Sequence, residues 1–216
     1  MISQIFEYIN PTNAYVLITF IVGLIYLDIK KINNRILFII LCLSLATEII
    51  SAILAYYNKT IDALYTVSLF IHHSLWIYLL TKDFLEKKAV VIIITAFFIT
   101  SILNFLFYEG IKNLNNYTFI IGALLYIVIF IYESFYQLKY DNFSFFTSNN
   151  YLLFFTPVLF FFGLSFMFSF NSKELLETTV FEKFELYPII ITFVNFIYYT
   201  FINIYIYKEK RLKNAG

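Results

Sequence analysis

The sequence has few residues of the types that form disulfides or metal sites. Among 216 residues it contains one cysteine, Cys42, and two histidines, His72 and His73. A single cysteine excludes an intramolecular disulfide and a cysteine-based zinc site. The histidines are adjacent, whereas a zinc pair on a helix needs positions i and i+4, and the sequence has no third histidine. We therefore expect neither a metal nor another cofactor.

Charged residues are also scarce. They make up 13% of the chain, hydrophobic residues make up 61%, and the mean hydropathy is +0.80. These values lie far from those of soluble domains and are typical of an integral membrane protein. The net charge is +1, and no basic cluster lies on a soluble segment, so nucleic acid is not an expected partner.

Seven apolar segments approach the length of about 20 residues that crosses a bilayer as a helix. They are residues 14–27, 36–56, 61–80, 89–107, 117–136, 151–170 and 187–207. The first segment is short, but it could begin at Pro11, because proline fits the first turn of a helix. No signal-peptide pattern precedes it, so we expect it to be retained. The predicted fold is all-α, a bundle of seven transmembrane helices in one domain.

Basic residues predict the orientation of these spans, because short cytoplasmic loops are rich in Lys and Arg. Four basic residues fall on the side of the N-terminus: Lys59, Lys112, Lys173 and Lys183. Eleven fall on the other side: Lys30, Lys31, Arg35, Lys82, Lys87, Lys88, Lys139, Lys208, Lys210, Arg211 and Lys213. The N-terminus is therefore predicted to be outside and the C-terminus cytoplasmic.

The loops are too short to form a soluble catalytic domain. None contains a glycine-rich phosphate loop, and no nucleophile lies beside a base, so we do not expect an enzyme. The longest outer connection, residues 171–186, has apolar residues at helical spacing and is predicted to form an amphipathic helix on the membrane surface.

Few titratable residues interrupt the apolar segments. Glu48 and His72 lie deep within their segments, and such residues usually mark functional sites because an unpaired ionisable group in hydrocarbon is costly. A structural hydrogen bond between helices is the alternative for each. Glu133 lies near a predicted membrane interface, and His73 is rotated by about 100° from His72 on the helix.

Depth along the spans brings three of these polar positions together. At 1.5 Å per residue, Glu48 and His72 differ by roughly one helical turn in height, and Asn195 of the last span comes close to the depth of Glu48. Trp76 shares a helical face with His72, and Tyr199 shares one with Asn195. We expect these five residues to surround a ligand-binding or proton-sensing cavity.

Two known classes of seven-helix protein can be excluded. Rhodopsins attach retinal to a lysine in the last span, and zinc-dependent seven-helix hydrolases have histidine pairs there, but residues 187–207 contain neither. The Thr47-Glu48 pair, residues 126–137 and residues 157–163 resemble an uncharacterised bacterial seven-helix family that is often encoded beside sensor histidine kinases. This resemblance covers most of the chain and implies a sensory or regulatory role.

We therefore expect a membrane receptor or regulatory module in a bacterial inner membrane. A small molecule or lipid would enter the bundle, and helix shifts would reach a separate cytoplasmic signalling protein. The alternative is a small proton-coupled transporter, in which Glu48 and His72 exchange a proton as the cavity alternates its access.

Overall fold

The apolar segments form helices in the computed structural model, which describes residues 11–110, 113–169, 179–180 and 184–215. In chain order the helices are α1 (Pro11–Tyr26), α2 (Ile32–Tyr56), α3 (Asp62–Thr81), α4 (Lys87–Leu103), α5 (Asn116–Lys139), α6 (Phe143–Thr147), α7 (Asn149–Ser169) and α8 (Leu186–Ala215). A π-helical turn, Asn104–Tyr108, continues α4. Helix α1 begins at Pro11, the earlier start that the sequence left open for the predicted span 14–27, and ends one residue before that span does.

Six helices in the described part of the chain are long and apolar enough to cross a membrane. They are α2, α3, α4 with its π-helical turn, α5, α7 and the apolar part of α8, Pro188–Leu212. The fold is therefore helical and typical of a multi-pass membrane protein. Helix α1 has only 16 residues, or about 24 Å, which is shorter than the roughly 30 Å hydrocarbon core of a bilayer.

Six helices close into a ring in the order α1, α2, α3, α5, α7 and α8, with α8 packed against α1. Helix α4 lies outside this ring and packs against α3 and α5. We call the end of the ring where α1, α3 and α8 begin the Thr12 end. The opposite end, where α8 passes the loop between α1 and α2, is the Glu209 end.

Aromatic side chains fill the middle of the ring. Trp76, Tyr126 and Phe161 are fully buried, and the Tyr126 hydroxyl donates to the Phe154 carbonyl at 2.7 Å. Two helices approach closely at Gly122 of α5, where an added Cβ would lie 2.6 Å from Cδ2 of His73. Glycine at this position therefore lets α3 and α5 pack around a histidine ring.

The predicted amphipathic helix at residues 171–186 is wrong where the structure describes it. Thr179–Val180 and Phe184–Glu185 form two short antiparallel strands, β1 and β2, with Val180 opposite Phe184. Backbone pairing between these segments replaces the intrahelical hydrogen bonds that a helix would need. Residues 171–178 and 181–183 lie outside the described residues.

A candidate ligand cavity at the Thr12 end

A cavity of about 290 Å³ lies inside the ring at the Thr12 end. Its polar lining residues are Thr12, Ser44, Thr47, Glu48, Tyr65, Ser68, His72, Asn195 and Tyr199. Its apolar lining residues are Leu69, Leu114, Phe160, Leu164, Phe168 and Ile191. The cavity thus combines one polar wall, mostly from α2, α3 and α8, with an apolar wall to which α7 contributes three side chains.

Glu48 is the acidic residue of the polar wall. It lies on α2 and is partly buried, and the Tyr65 hydroxyl of α3 interacts with its carboxylate. Ser51, one turn further along α2, donates to the Glu48 main-chain carbonyl and accepts a hydrogen bond from the Tyr65 hydroxyl at 3.3 Å. The described neighbour of the Glu48 carboxyl group is therefore a neutral hydroxyl rather than a cationic side chain.

Two further hydroxyl pairs fix the helices around Glu48. Thr47 donates to the Leu43 carbonyl at 2.8 Å, so the Ser68 hydroxyl, 2.6 Å away on α3, must be the donor to Thr47. On the other side, Ser44 interacts with the Tyr199 hydroxyl of α8. These contacts join α2 to α3 and to α8 at the depth of the cavity. They fix the position of α2 and therefore of the Glu48 carboxylate.

His72 lies at the deeper part of the polar wall and is 7% exposed. The Trp76 indole donates to the Tyr198 hydroxyl at 3.0 Å, so that hydroxyl is free to donate its own proton to Nε2 of His72, 3.2 Å away. In a neutral imidazole with Nε2 as acceptor, the proton is on Nδ1. Nδ1 is buried and has no partner among the described residues.

Helix α8 contributes Asn195 and Tyr199 to the cavity. The Asn195 side chain donates to the Ile191 carbonyl at 2.9 Å, so its amide nitrogen is engaged within the helix. Its carbonyl oxygen is an acceptor on the cavity wall. Both residues are buried, at 8% and 6% exposure.

The apolar wall comes from Phe160, Leu164 and Phe168, which recur at the helical spacing of one face of α7. Helix α7 lies close to α8 here, because an added Cβ on Gly163 would come within 2.8 Å of Val194. The small residue allows the two helices to close this side of the cavity while the larger side chains turn inward.

His73 points away from the cavity. Its ring stacks on Phe161 at a centroid distance of 4.4 Å and contacts Phe119 and Phe97. Nδ1 lies 2.8 Å from the Leu69 carbonyl, one turn back on its own helix. Because a carbonyl can only accept, Nδ1 carries the proton, and His73 acts as a packed core residue.

Glu133 lies on α5, away from the cavity lining. It is 4% exposed, and its carboxylate accepts a hydrogen bond from Gln137. The Gln137 carbonyl accepts from Asn142 at 2.6 Å. Glu133 thus belongs to a polar chain that runs towards the Glu209 end.

Electrostatically, the cavity carries one acidic group and no strong cation. Among its described lining residues, Glu48 is the sole carboxylate and none is a Lys or Arg. No group of three His, Cys, Asp or Glu residues that could hold a metal ion occurs in the described part of the chain. The arrangement can bind a molecule through hydrogen bonds and through the Glu48 carboxyl group.

A second polar site lies at the Glu209 end and was not expected from the sequence. Glu209 is 8% exposed and accepts hydrogen bonds from Lys31 at 2.8 Å, Asn149 at 2.8 Å and Asn34 at 3.3 Å. The Tyr205 hydroxyl donates to the Asn34 carbonyl oxygen at 2.6 Å. These five residues, the Glu209 cluster, join α2, α7 and α8 and border a pocket of about 370 Å³.

Four of the five residues singled out from the sequence line the cavity: Glu48, His72, Asn195 and Tyr199. Trp76 does not line it, but contacts His72 through Tyr198. Sequence reasoning missed Tyr198, which sits beside Tyr199 and differs from it only in helical rotation. It also missed the Glu209 cluster, because Glu209 follows the last apolar segment within a run of basic residues.

No protein-family model, curated protein sequence or solved structure matches the chain.

Proposed function

We propose that the protein is a receptor or regulatory module of a bacterial inner membrane, in which a ligand enters from the outer side. The observation that carries this proposal is the cavity beside Glu48, which opens into the ring of helices and has both a polar and an apolar wall. Such a lining is typical of small-molecule sites. A partly buried carboxylate at this depth is costly unless a ligand, water or proton path uses it.

The proposed topology has seven spans, with the N-terminus outside and the C-terminus in the cytoplasm. The excess of basic residues near the Glu209 end supports this orientation. The path of α1 supports the seventh span, because α1 runs parallel to α8. Tyr15 contacts Phe196 near one end of α1, and the Lys210 ammonium group lies over the Tyr26 ring near the other end. Helix α1 therefore reaches the same membrane surface as the basic end of α8.

Thiol labelling of intact cells tests this topology. In a Cys42→Ser background, Ser3→Cys and Lys30→Cys flank α1, and a membrane-impermeant maleimide should label only Ser3→Cys before the cells are opened. The matched pair Lys59→Cys and Lys139→Cys should behave as an outer and an inner position. Labelling of Ser3→Cys and Lys30→Cys from the same side would refute a spanning α1.

Signal transfer would follow the helices that line the cavity. Helices α2 and α8 carry Glu48 and Asn195 at one end and Asn34 and Glu209 at the other. A ligand that changes the spacing of these helices would act on the Glu209 cluster and on the basic last turns of α8, where Lys208 and Arg211 are exposed. A separate cytoplasmic protein would bind there, as the family resemblance of residues 47–48, 126–137 and 157–163 also suggests.

Native mass spectrometry of the purified protein tests the binding site. The wild type should retain a small molecule or lipid, while Glu48→Gln and His72→Gln should lose most of it. Glu133→Gln is the matched control, because it changes a buried carboxylate elsewhere in the bundle. Equal retention by the wild type and both cavity variants would remove the proposed site.

A second candidate function is proton-coupled transport, with Glu48 and His72 as the proton carriers. The observation that favours it is the position of two polar pockets at opposite ends of the same ring, one beside Glu48 and one beside Glu209. The aromatic layer with Trp76 and Phe161 separates them. Transport would be supported if proteoliposomes took up a substrate and an uncoupler abolished this uptake. Ligand binding without uptake would support the receptor.

A further inference from the structure

The cavity beside Glu48 has the chemistry of a site for a positively charged amphipathic molecule. We propose that its ligand is a small amine, with the ammonium group on Glu48, an apolar or aromatic body against α7, and a hydrogen-bond acceptor facing His72. This assignment rests on the proposed ligand-binding function and specifies which chemical class the site takes.

The sign of the ligand's charge follows from the polar wall. Glu48 is the one carboxylate, and none of the described lining residues is a Lys or Arg. Its described contact is the neutral Tyr65 hydroxyl, so an ionised carboxylate there is not balanced by a cation of the protein. An ammonium group would supply that missing charge, whereas an anionic ligand would be repelled and would find no cationic partner.

The body of the ligand follows from the apolar wall. Phe160, Leu164 and Phe168 line the same cavity of about 290 Å³ as the Glu48 carboxyl group. This volume suits a ligand at the small end of the range for binding pockets. The head of a phospholipid would carry its phosphate into a site without a cationic side chain, so a free amine fits better than an aminophospholipid.

The second polar feature of the ligand follows from His72. Tyr198 occupies Nε2 of the imidazole, which leaves the proton on Nδ1, and that atom is buried without a partner among the described residues. A buried donor without an acceptor is unfavourable. A hydroxyl or carbonyl oxygen on the ligand would satisfy it.

Four compounds with one aromatic body and different head groups test the assignment by equilibrium dialysis in detergent. They are phenethylamine, 2-phenylethanol, phenylacetate and 2-amino-1-phenylethanol. We expect saturable binding of phenethylamine, a dissociation constant at least about tenfold weaker for 2-phenylethanol, and no binding of phenylacetate. The added hydroxyl of the amino alcohol should improve affinity in the wild type and not in His72→Leu.

Two variants and the fluorescence of Trp76 test whether phenethylamine binds in the cavity. Glu48→Gln should weaken phenethylamine about tenfold or more, while Glu133→Gln should leave its affinity unchanged. Trp76 is the single tryptophan of the chain and is linked through Tyr198 to His72, so its fluorescence should change on binding. The affinity for phenethylamine should be the same in nanodiscs of phosphatidylethanolamine and in nanodiscs of phosphatidylcholine. If only phosphatidylethanolamine competed with phenethylamine, the bound ammonium group would belong to a lipid instead of a free amine.

The outcomes separate this assignment from the proposed function. Equal affinity for phenethylamine and 2-phenylethanol, or an unchanged affinity in Glu48→Gln, would overturn the cationic assignment while the cavity remained a ligand site. Absence of saturable binding of both compounds up to millimolar concentration would overturn the assignment. If the co-purified molecule of the wild type were also retained by Glu48→Gln and His72→Gln, the proposed function would fail as well.

Discussion

Removal of one hydroxyl group should destabilise the centre of the bundle measurably. Tyr198 accepts a hydrogen bond from the Trp76 indole at 3.0 Å and faces Nε2 of His72 at 3.2 Å. Tyr198→Phe keeps the aromatic ring and its packing, so it leaves two buried polar atoms without a partner and creates almost no cavity.

The expected loss can be bounded from the two bonds. Hydrogen bonds between membrane helices contribute on average about 0.6 kcal/mol each, and an unsatisfied buried group costs about 1–3 kcal/mol in soluble proteins. Because two groups lose their partner, the first figure sets a lower bound of about 1 kcal/mol and the second an upper bound of about 6 kcal/mol on the loss of unfolding free energy in Tyr198→Phe.

Unfolding in mixed micelles with increasing dodecyl sulfate measures this change, with circular dichroism for helix content and fluorescence for Trp76. The emission of Trp76 should also shift, because its indole loses its acceptor. Tyr117→Phe is the matched control, since Tyr117 is 61% exposed, and it should be neutral. A Tyr198→Phe variant as stable as the wild type, with unchanged Trp76 emission, would refute the proposed link between Trp76 and His72.

Two further substitutions test the packing and the polar cluster in the same unfolding assay. Gly122→Ala should destabilise by about 1–3 kcal/mol through overpacking, because the new Cβ would lie 2.6 Å from His73; a stable variant would mean that the histidine ring can move aside. Glu209→Ala should destabilise by about 1–3 kcal/mol, because it leaves the Asn34 and Asn149 side chains without their shared acceptor. The half-exposed Lys31 should contribute little to this loss, and Glu209→Asp should recover part of it. Equal stability of both Glu209 variants and the wild type would show that the Glu209 cluster contributes little.

The positions of the long helices could be predicted because each apolar segment is close to the length of a membrane span. Helix α2 was predicted from residue 36 and begins at Ile32, because Asn33, Asn34 and Arg35 are polar but compatible with a helix. The same reason extends α8 from residue 207 to Ala215. Hydropathy finds the apolar part of a helix and does not find its polar ends.

The candidate cavity could be predicted in part because depth follows from counting residues along a helix. Glu48, His72 and Asn195 were placed at similar height, and they line one cavity. Rotation is harder to predict than depth: Trp76 shares a helical face with His72 and contacts its ring, yet it does not line the cavity. A tyrosine next to another tyrosine gives no signal about which of the two points inward.

The Glu209 cluster could not be predicted because its parts look like ordinary loop and tail residues. Asn34 and Asn149 precede apolar segments, and Glu209 lies among lysines. Only the closure of the ring brings α8 beside the loop between α1 and α2. Contacts of this kind depend on which helices are neighbours, and the sequence does not state that order.

The position of α4 outside the ring gives this helix a separate topological role. Helices α3 and α5 are neighbours that both begin at the Thr12 end, and two parallel neighbours need a connection that returns the chain across the membrane. Helix α4 is that return connection. Selection on α4 should therefore act mainly on its length and hydropathy. Side-chain identity should matter only along the narrow strip that contains Val90, Phe97 and Ser101, which are buried against the ring.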